Sequence, residues 1–172
     1  MADERVRYFV EGECEKKLID ELKRAGLLPP GKSTVFNVLT QRISFSRLME
    51  IERGSFVIFV FDTDVENDLA ILRGNIQILE SQVPGVRIIK MIQVRNLEDE
   101  LKRATNIKQI TDITGSKSIG DFKSDFLRLK SCVTILNRHG FDISKMWCTK
   151  PEGEFASFSQ DFSKIRRKTK KK

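Results

Sequence analysis

The stretch FVIFVFDTDVEND, at residues 56–68, decides how the rest of the chain is interpreted. Its first six residues are all aromatic or β-branched, which is typical of a strand buried on both faces of a parallel sheet. Acidic residues follow directly, beginning with Asp62 and Asp64. In open α/β sheets, ligands bind at the carboxyl ends of the strands. Because crowded carboxylates repel one another, the stretch predicts either a site for Mg²⁺ or Mn²⁺ or the acidic first turn of a helix.

Strand-like and helical segments alternate along the chain. One helical pattern has Leu18, Ile19 and Leu22 on a single face, and Asn96 is a candidate N-cap for a later helix. A single long helix is predicted over residues 121–137. This alternation predicts βαβ units, and therefore an α/β fold with a mostly parallel sheet of four or five strands and helices on both faces. The predicted strands are residues 5–10, 34–39, 55–61 and 86–94, with a last short one within 142–148.

Composition and cysteine usage limit the class of protein. With 172 residues, 40% hydrophobic and 32% charged, the chain is typical of one soluble domain, which we place at residues 1–163. We expect no membrane span and no signal peptide. Cys14, Cys132 and Cys148 are odd in number and include no CxxC pair, so we expect a cytoplasmic protein without a zinc site.

The positive charge is concentrated at the end of the chain. Of the 31 lysines and arginines, seven lie in residues 164–172, and the remaining 24 balance the 24 acidic residues. Such a basic tail is typically disordered and contacts phosphate backbones, although a solubility role is an equal alternative. The candidate nucleic-acid contacts in this tail are Lys164, Arg166, Arg167 and Lys168.

Residues 26–33, GLLPPGKS, match the P-loop pattern GxxxxGK[ST] letter for letter. A P-loop joins a strand to a helix, whereas here a helical pattern precedes the match and a strand-like run follows it. Pro29 and Pro30 also remove two backbone N–H donors that would hold a phosphate. We therefore do not expect a nucleotide site in this segment.

A third acid belongs with the aspartate pair if two predicted strands are neighbours. Glu11 ends the first predicted strand, and Asp62 ends a central one. Parallel strands end at the same edge of a sheet, so adjacency would bring Glu11, Asp62 and Asp64 into one cleft. Three such acids hold one or two divalent ions that orient and polarise a phosphodiester, which is chemistry that needs no histidine or cysteine.

Two motifs resemble those of the Toprim family. VEGECE, at residues 10–15, is similar to the signature in which a strand ends in Glu-Gly followed by a second acid, and FDTD, at 61–64, is similar to the Asp-x-Asp motif. The motifs stand about fifty residues apart in Toprim order, and the resemblance covers roughly residues 5 to 105. Because no small residue follows the Asp-x-Asp pair, the pattern is more similar to diverged OLD-type Toprim nucleases than to primases or topoisomerases.

The resemblance implies a Mg²⁺-dependent nuclease that acts on DNA or RNA, with a partner protein such as an ATPase. It implies that Glu11 is the acid/base or metal-side glutamate and that Asp62 and Asp64 bind the metal. Glu15 takes the second acidic position of the signature. Gly12 is expected to let the backbone turn tightly beside the phosphate.

The second half of the chain offers supporting residues. Glu98 follows a predicted strand and is a candidate extra metal ligand, although a helix-start glutamate is an equal alternative. Lys123 is a candidate for stabilising charge in the transition state. Lys117 is a candidate contact to nucleic acid. A solvated face is the alternative role for both lysines.

Two other functions compete with the nuclease. FDTDV also resembles the first motif of haloacid-dehalogenase phosphatases, in which Asp62 would be the nucleophile; that family needs a later acidic pair, for which Asp99 and Glu100 are the nearest option. The second competitor is a non-catalytic, Toprim-like scaffold that binds nucleic acid. It leaves the crowded acids unexplained, because without a metal they would repel phosphates.

Overall fold

A computed structural model describes residues 5–64 and 69–165. Its centre is a sheet of four parallel strands in the order β2-β1-β3-β4. The α/β fold of Rossmann-like kind expected from the sequence is confirmed. The strands are β1 (Val6–Val10), β2 (Lys32–Val35), β3 (Phe56–Asp62) and β4 (Arg87–Gln93).

Helices connect and follow the strands. They are α1 (Glu13–Arg24), α2 (Phe45–Met49), α3 (Ala70–Gln82), α4 (Leu97–Ala104), α5 (Thr111–Thr114), α6 (Ile119–Arg128) and α7 (Cys132–Arg138). Three short 3-10 helices complete the described chain: Ile143–Lys145, Gly153–Ser157 and Phe162–Lys164. No helix in residues 5–64 or 69–165 has the length and apolar character needed to cross a membrane.

The sheet is covered on both faces because side chains alternate along each strand. On one face Tyr8 and Ile58 belong to a core formed with α1, α4, α6 and α7. On the other face Phe9 and Phe59 belong to a core formed with α3 and the segment around α2. Each of these buried side chains contributes roughly 1.5–3 kcal/mol, so the two cores hold the strand ends in a defined register.

The outer edge of β4 is covered by Gln160 and Asp161 instead of a fifth strand. The Gln160 amide accepts from the Ile92 N–H at 2.9 Å and donates to the Ile92 carbonyl at 2.7 Å. The Asp161 N–H donates to the Lys90 carbonyl at 2.9 Å, and the Asp161 carboxylate accepts from the Lys90 N–H at 3.3 Å. These bonds pair backbone N–H and carbonyl groups that would otherwise be unpaired along the edge of the sheet.

Three expectations about local structure need correction. The strand predicted at 34–39 is shorter and lies earlier, since the Asn37 side chain accepts from the Leu39 N–H at 2.9 Å and turns the chain. The helix predicted over 121–137 is two helices, separated at residues 129–131. The last predicted strand, within 142–148, is wrong, because the Asp142 carboxylate accepts from the Ser144 N–H at 2.9 Å and begins a 3-10 turn.

The P-loop-like segment has the context expected from the sequence. Helix α1 ends before it, Gly26 adopts a left-handed φ of 72°, and β2 begins at Lys32. The order is therefore helix, loop, strand. An open groove of about 520 Å³ borders Gly31, but it lies at the amino ends of the strands, away from the acids at their carboxyl ends.

Candidate functional site

Strands β1 and β3 are adjacent, and this places Glu11 against Asp62. Val10 is paired with Val60 in the register of the two strands. Glu11 follows β1 directly, and its Oε2 accepts from the Asp62 backbone N–H at 3.0 Å. The acid of the first motif therefore reaches across to the first aspartate of the second. Both side chains are partly exposed at the carboxyl edge of the sheet.

Asp64 lies just beyond the strand and is exposed. Its Oδ2 accepts from the Asn96 side-chain amide at 3.4 Å. Asn96 is the N-cap of α4, as expected from the sequence, because its Oδ1 accepts from the Asp99 N–H at 3.0 Å. The start of α4 is thus held beside the Asp-x-Asp loop. Glu66 and Asp68, assigned to a helix start from the sequence, lie outside the described residues.

Glu15 lies in the first turn of α1 and is 9% exposed. The chain turns at Gly12 from β1 into α1, as expected, but its φ of −146° and ψ of −179° are extended and open to any residue, so the turn does not require the conformational freedom of glycine. The glycine instead leaves space for a neighbouring side chain. A Cβ atom there would lie 2.8 Å from Glu15 Oε2. Gly12 therefore allows the Glu15 carboxylate to lie against the end of β1.

The acids perturb one another. Burial, followed by the charges of Glu11, Glu15, Asp64 and Glu98, raises the pKa of Asp62 to about 9. Burial also raises the pKa of Glu15, and the charge of Glu11 adds to this effect. A shift of this kind is typical of a functional site, because folding has placed like charges together where water is partly excluded. We call Glu11, Glu15, Asp62, Asp64 and Glu98 the carboxylate cluster.

Lys123 and Glu98 approach the cluster from α6 and α4. The Lys123 Nζ lies 3.8 Å from Glu98 Oε1, and the lysine side chain is 71% exposed whereas that of Glu98 is 19% exposed. The Glu98 carboxylate raises the pKa of Lys123, so the lysine is charged at neutral pH. The backbone is tied to α1 as well, since the Lys123 carbonyl lies 3.7 Å from Cys14 Sγ. Lys123 is therefore the cation that the fold places beside the acids.

The remaining candidate contacts to nucleic acid lie apart from the cluster or outside the described chain. Lys117 is exposed in the segment before α6. Lys164 ends the last 3-10 helix, and its Nζ lies 2.6 Å from Asp161 Oδ1. Arg166, Arg167 and Lys168 lie outside the described residues. The role of these five residues stays a prediction.

One residue that contacts the cluster was missed from the sequence. Gln93 is the last residue of β4 and is completely buried. With its amide oriented to match its neighbours, Nε2 donates to Asp62 Oδ1 at 3.2 Å and Oε1 accepts from the Leu97 N–H at 3.3 Å. The available signal was a polar residue at the carboxyl end of a strand, at the edge of the sheet where the acids lie.

The chemistry of the cluster, but not its present geometry, suits a hard divalent cation. Across residues 5–64 and 69–165, no three acids, cysteines or histidines lie in an arrangement that could hold a metal ion. The cluster nevertheless combines five carboxylates with one lysine, and hard cations such as Mg²⁺ and Mn²⁺ prefer such oxygen ligands. Burial of Asp62 among like charges is unfavourable, and a bound cation would relieve it.

No protein-family model, curated protein or solved structure matches this chain. The resemblance to Toprim nucleases therefore depends on the two motifs and on the chemistry of the residues around them.

Proposed function

We propose that the protein is a Mg²⁺-dependent, Toprim-like nuclease that hydrolyses phosphodiester bonds in DNA or RNA. The observation that carries the proposal is the contact between Glu11 and Asp62. The two acids come from separate motifs, and neighbouring parallel strands bring them within one hydrogen bond of each other. A helix-start role for Asp62 alone would not account for this convergence.

The residues of the cluster have distinct roles in this proposal. Asp62 and Asp64 would hold the metal with Glu11, and Glu15 and Glu98 would complete its surroundings. Bound Mg²⁺ would polarise the phosphodiester and lower the pKa of an attacking water. Because Oε2 of Glu11 accepts the Asp62 N–H, its Oε1 is the atom available to the cleft.

Lys123 supplies positive charge beside the carboxylate cluster. Its ion pair with Glu98 is long, at 3.8 Å, and the lysine side chain is 71% exposed. The ammonium can therefore turn towards a phosphate at little cost, since exposed ion pairs contribute at most about 1 kcal/mol. We assign to it the stabilisation of charge that develops on the phosphoryl oxygens.

The two competing functions have less support. A haloacid-dehalogenase-like phosphatase would need Asp99 and Glu100 at the cleft, but Glu100 is completely buried and accepts from the backbone N–H groups of Val94 and Trp147. A non-catalytic scaffold would have to attract phosphates to a cluster of five carboxylates. A partner ATPase, which the resemblance implies, stays a prediction.

Cleavage of labelled single- and double-stranded DNA and RNA tests the proposal. We expect cleavage of at least one substrate with Mg²⁺ or Mn²⁺ and none with excess EDTA. Glu11→Gln should abolish it, whereas Glu13→Gln, two residues away and exposed, should leave it unchanged. Metal-independent cleavage, full activity of Glu11→Gln, or binding of all four substrates without cleavage would contradict the proposal.

A further inference from the structure

The connection between β4 and α4, residues 93–96, lies against the Asp-x-Asp loop at three successive points. The amide of Gln93 donates to Asp62 Oδ1 at 3.2 Å. The amide of Asn96 donates to Asp64 Oδ2 at 3.4 Å. Between them, the Thr63 N–H donates to the carbonyls of Gln93 and Arg95 at 3.1 and 2.9 Å. Each residue of the Asp-Thr-Asp sequence therefore has its own partner in the connection.

The connection keeps a backbone conformation that is uncommon for its sequence. Arg95 has a left-handed φ of 70°, which is unfavourable for a residue other than glycine. Its N–H donates to Thr63 Oγ1 at 2.9 Å, so the hydrogen bond to the aspartate loop stabilises the turn. This backbone conformation places Asn96 at the start of α4. The unfavourable φ therefore lies where the connection meets the Asp-x-Asp loop.

We propose that Gln93 and Asn96 are positioning residues that hold the two aspartates for a divalent cation. The inference rests on the proposed function and deepens it. Each amide occupies one oxygen of one aspartate and leaves the other oxygen available as a ligand. The case for Gln93 is the stronger of the two, because its side chain is completely buried. Its amide donates to Asp62 and also accepts from the Leu97 N–H.

The chemistry of an amide suits this role. An amide donates a hydrogen bond to a carboxylate but carries no charge, so it orients Asp62 without neutralising it. A lysine or arginine in place of Gln93 would supply the positive charge that the cation is expected to bring. A glutamate would add a further negative charge and remove the donor. Metal-binding carboxylates are commonly hydrogen-bonded to such outer residues, and loss of the outer residue weakens metal binding.

Substitutions can separate positioning from a merely structural role. Gln93→Met keeps the length and burial of the side chain but removes the donor to Asp62. Asn96→Ser keeps an N-cap for α4, since serine caps helices as well as asparagine does, but its hydroxyl is too short to reach Asp64. Ser44→Ala removes the side-chain cap of α2, which lies on the other face of the sheet, and controls for the loss of a helix cap.

The experiment is a Mn²⁺ titration followed by electron paramagnetic resonance, with the melting temperature of each variant measured in EDTA. We expect Gln93→Met to weaken Mn²⁺ binding about tenfold, and Asn96→Ser by a smaller factor because its hydrogen bond is longer. Ser44→Ala should bind Mn²⁺ like the wild type, even if it melts earlier.

Two outcomes have different meanings. Folded Gln93→Met and Asn96→Ser that bind Mn²⁺ within twofold of the wild type would overturn the positioning role and leave the proposed nuclease intact. Wild-type protein that binds no Mn²⁺ would overturn the proposed function itself, before any variant is compared. Should Gln93→Met fail to fold, Asn96→Ser alone decides, since its position is only partly buried and its cap is retained.

Discussion

Asp62 lies at the carboxyl end of β3, and Asp161 lies at the outer edge of β4. Both are partly or fully removed from water, but the charges around them are opposite in sign. Asp161 is 1% exposed and lies 2.8 Å from Lys90 Nζ and 2.6 Å from Lys164 Nζ. Although burial opposes its ionisation, hydrogen bonds from Lys164 and Lys90 lower the pKa of Asp161. Asp62 is surrounded by other carboxylates, and its pKa is raised to about 9.

The difference separates an acid that is paired within the fold from an acid that we propose to be functional. Asp161 is paired within the fold and joins the C-terminal segment to β4. Glu100 is also paired within the fold, because Arg103 lies 2.6 Å from its Oε1 and two backbone N–H groups donate to its carboxylate. Asp62, by contrast, is placed beside Glu11 at a cost in stability that the described side chains do not offset. Such a cost persists where the ionised group has a use, as at a metal site.

The largest effect should come from removing the charge of Asp62. We expect Asp62→Asn to reduce Mg²⁺-dependent cleavage at least a hundredfold, because loss of a ligand should exceed the loss of an outer residue, which typically costs about 10–100-fold. Asp161→Asn should change cleavage less than threefold among molecules that remain folded. Single-turnover cleavage rates for the two variants measure the contrast. Equal losses in both variants would remove the distinction between the two acids.

Stability should respond in the reverse order. Asp161→Ala leaves the ammonium of Lys90, whose side chain is 16% exposed, without its partner and removes the acceptor for the Lys90 N–H. We expect the free energy of unfolding to fall by about 3 kcal/mol, as when one member of a buried ion pair is deleted. Asp62→Asn in EDTA should be at least as stable as the wild type. Urea denaturation measures both, and a less stable Asp62→Asn would contradict the account.

The pH dependence of stability should also differ in sign. Because the pKa of Asp62 is raised from an ordinary value of 3.8 to about 9, its favourable contribution is complete below pH 3.8 and is lost as the pH rises towards 9. The pKa of Asp161 is lowered, so its contribution is present above pH 3.8 and is lost as the pH falls through the lowered value.

In EDTA, the stability gained by Asp62→Asn over the wild type should therefore grow between pH 5 and pH 8.5, and Mg²⁺ should reduce the gain. Urea denaturation at both pH values, with and without Mg²⁺, measures this difference. A gain that is the same at the two pH values would show that Asp62 does not titrate as its surroundings require.

The lysine beside the cluster should have a smaller effect than the acids. We expect Lys123→Met to slow cleavage about tenfold, less than for a fully enclosed transition-state donor because its side chain is 71% exposed. The free energy of unfolding should change by less than about 0.5 kcal/mol, since the ion pair with Glu98 is long and the lysine side chain is exposed. Lys117→Met is the matched control. A larger loss of cleavage in Lys117→Met than in Lys123→Met would contradict the assignment of transition-state stabilisation to Lys123.

The smallest effect should come from the basic tail. Deleting residues 166–172 removes six of the seven tail cations but leaves Lys164 and its pair with Asp161 in place. We expect weaker binding of nucleic acid and a shallower dependence on salt, because fewer counterions are released. Binding isotherms at several salt concentrations measure this change. A salt dependence that is identical with and without the tail would show that the tail does not contact phosphates.

Sequence patterns predicted the parts of the fold that depend on local periodicity. The burial of β3 follows from six apolar residues in a row, and the start of α4 follows from Asn96 as a cap. Parallel strands then required Glu11 and Asp62 to lie at one edge. Their contact needed one further fact that no local pattern contains, the adjacency of β1 and β3.

The features that were not predictable depend on contacts between distant segments. The apolar face of residues 121–137 is compatible with one helix, yet Leu129 leaves the helical region at ψ 128° and the chain starts a second helix. The contact between Gln93 and Asp62 depends on the pairing of β4 with β3, which the sequence of β4 alone does not contain. Gly12 lies in the predicted turn, but the space that it leaves for the Glu15 carboxylate could not be predicted from the sequence.

The central claim is that the carboxylate cluster holds a divalent cation, and anomalous diffraction from crystals soaked in Mn²⁺ tests it most directly. The account predicts an anomalous peak in contact with the carboxylates of Asp62 and at least one of Glu11 and Asp64, and no such peak in crystals of Asp62→Asn. A peak that persists in Asp62→Asn, or Mn²⁺ bound elsewhere with none at the carboxyl edge of β1 and β3, would contradict it.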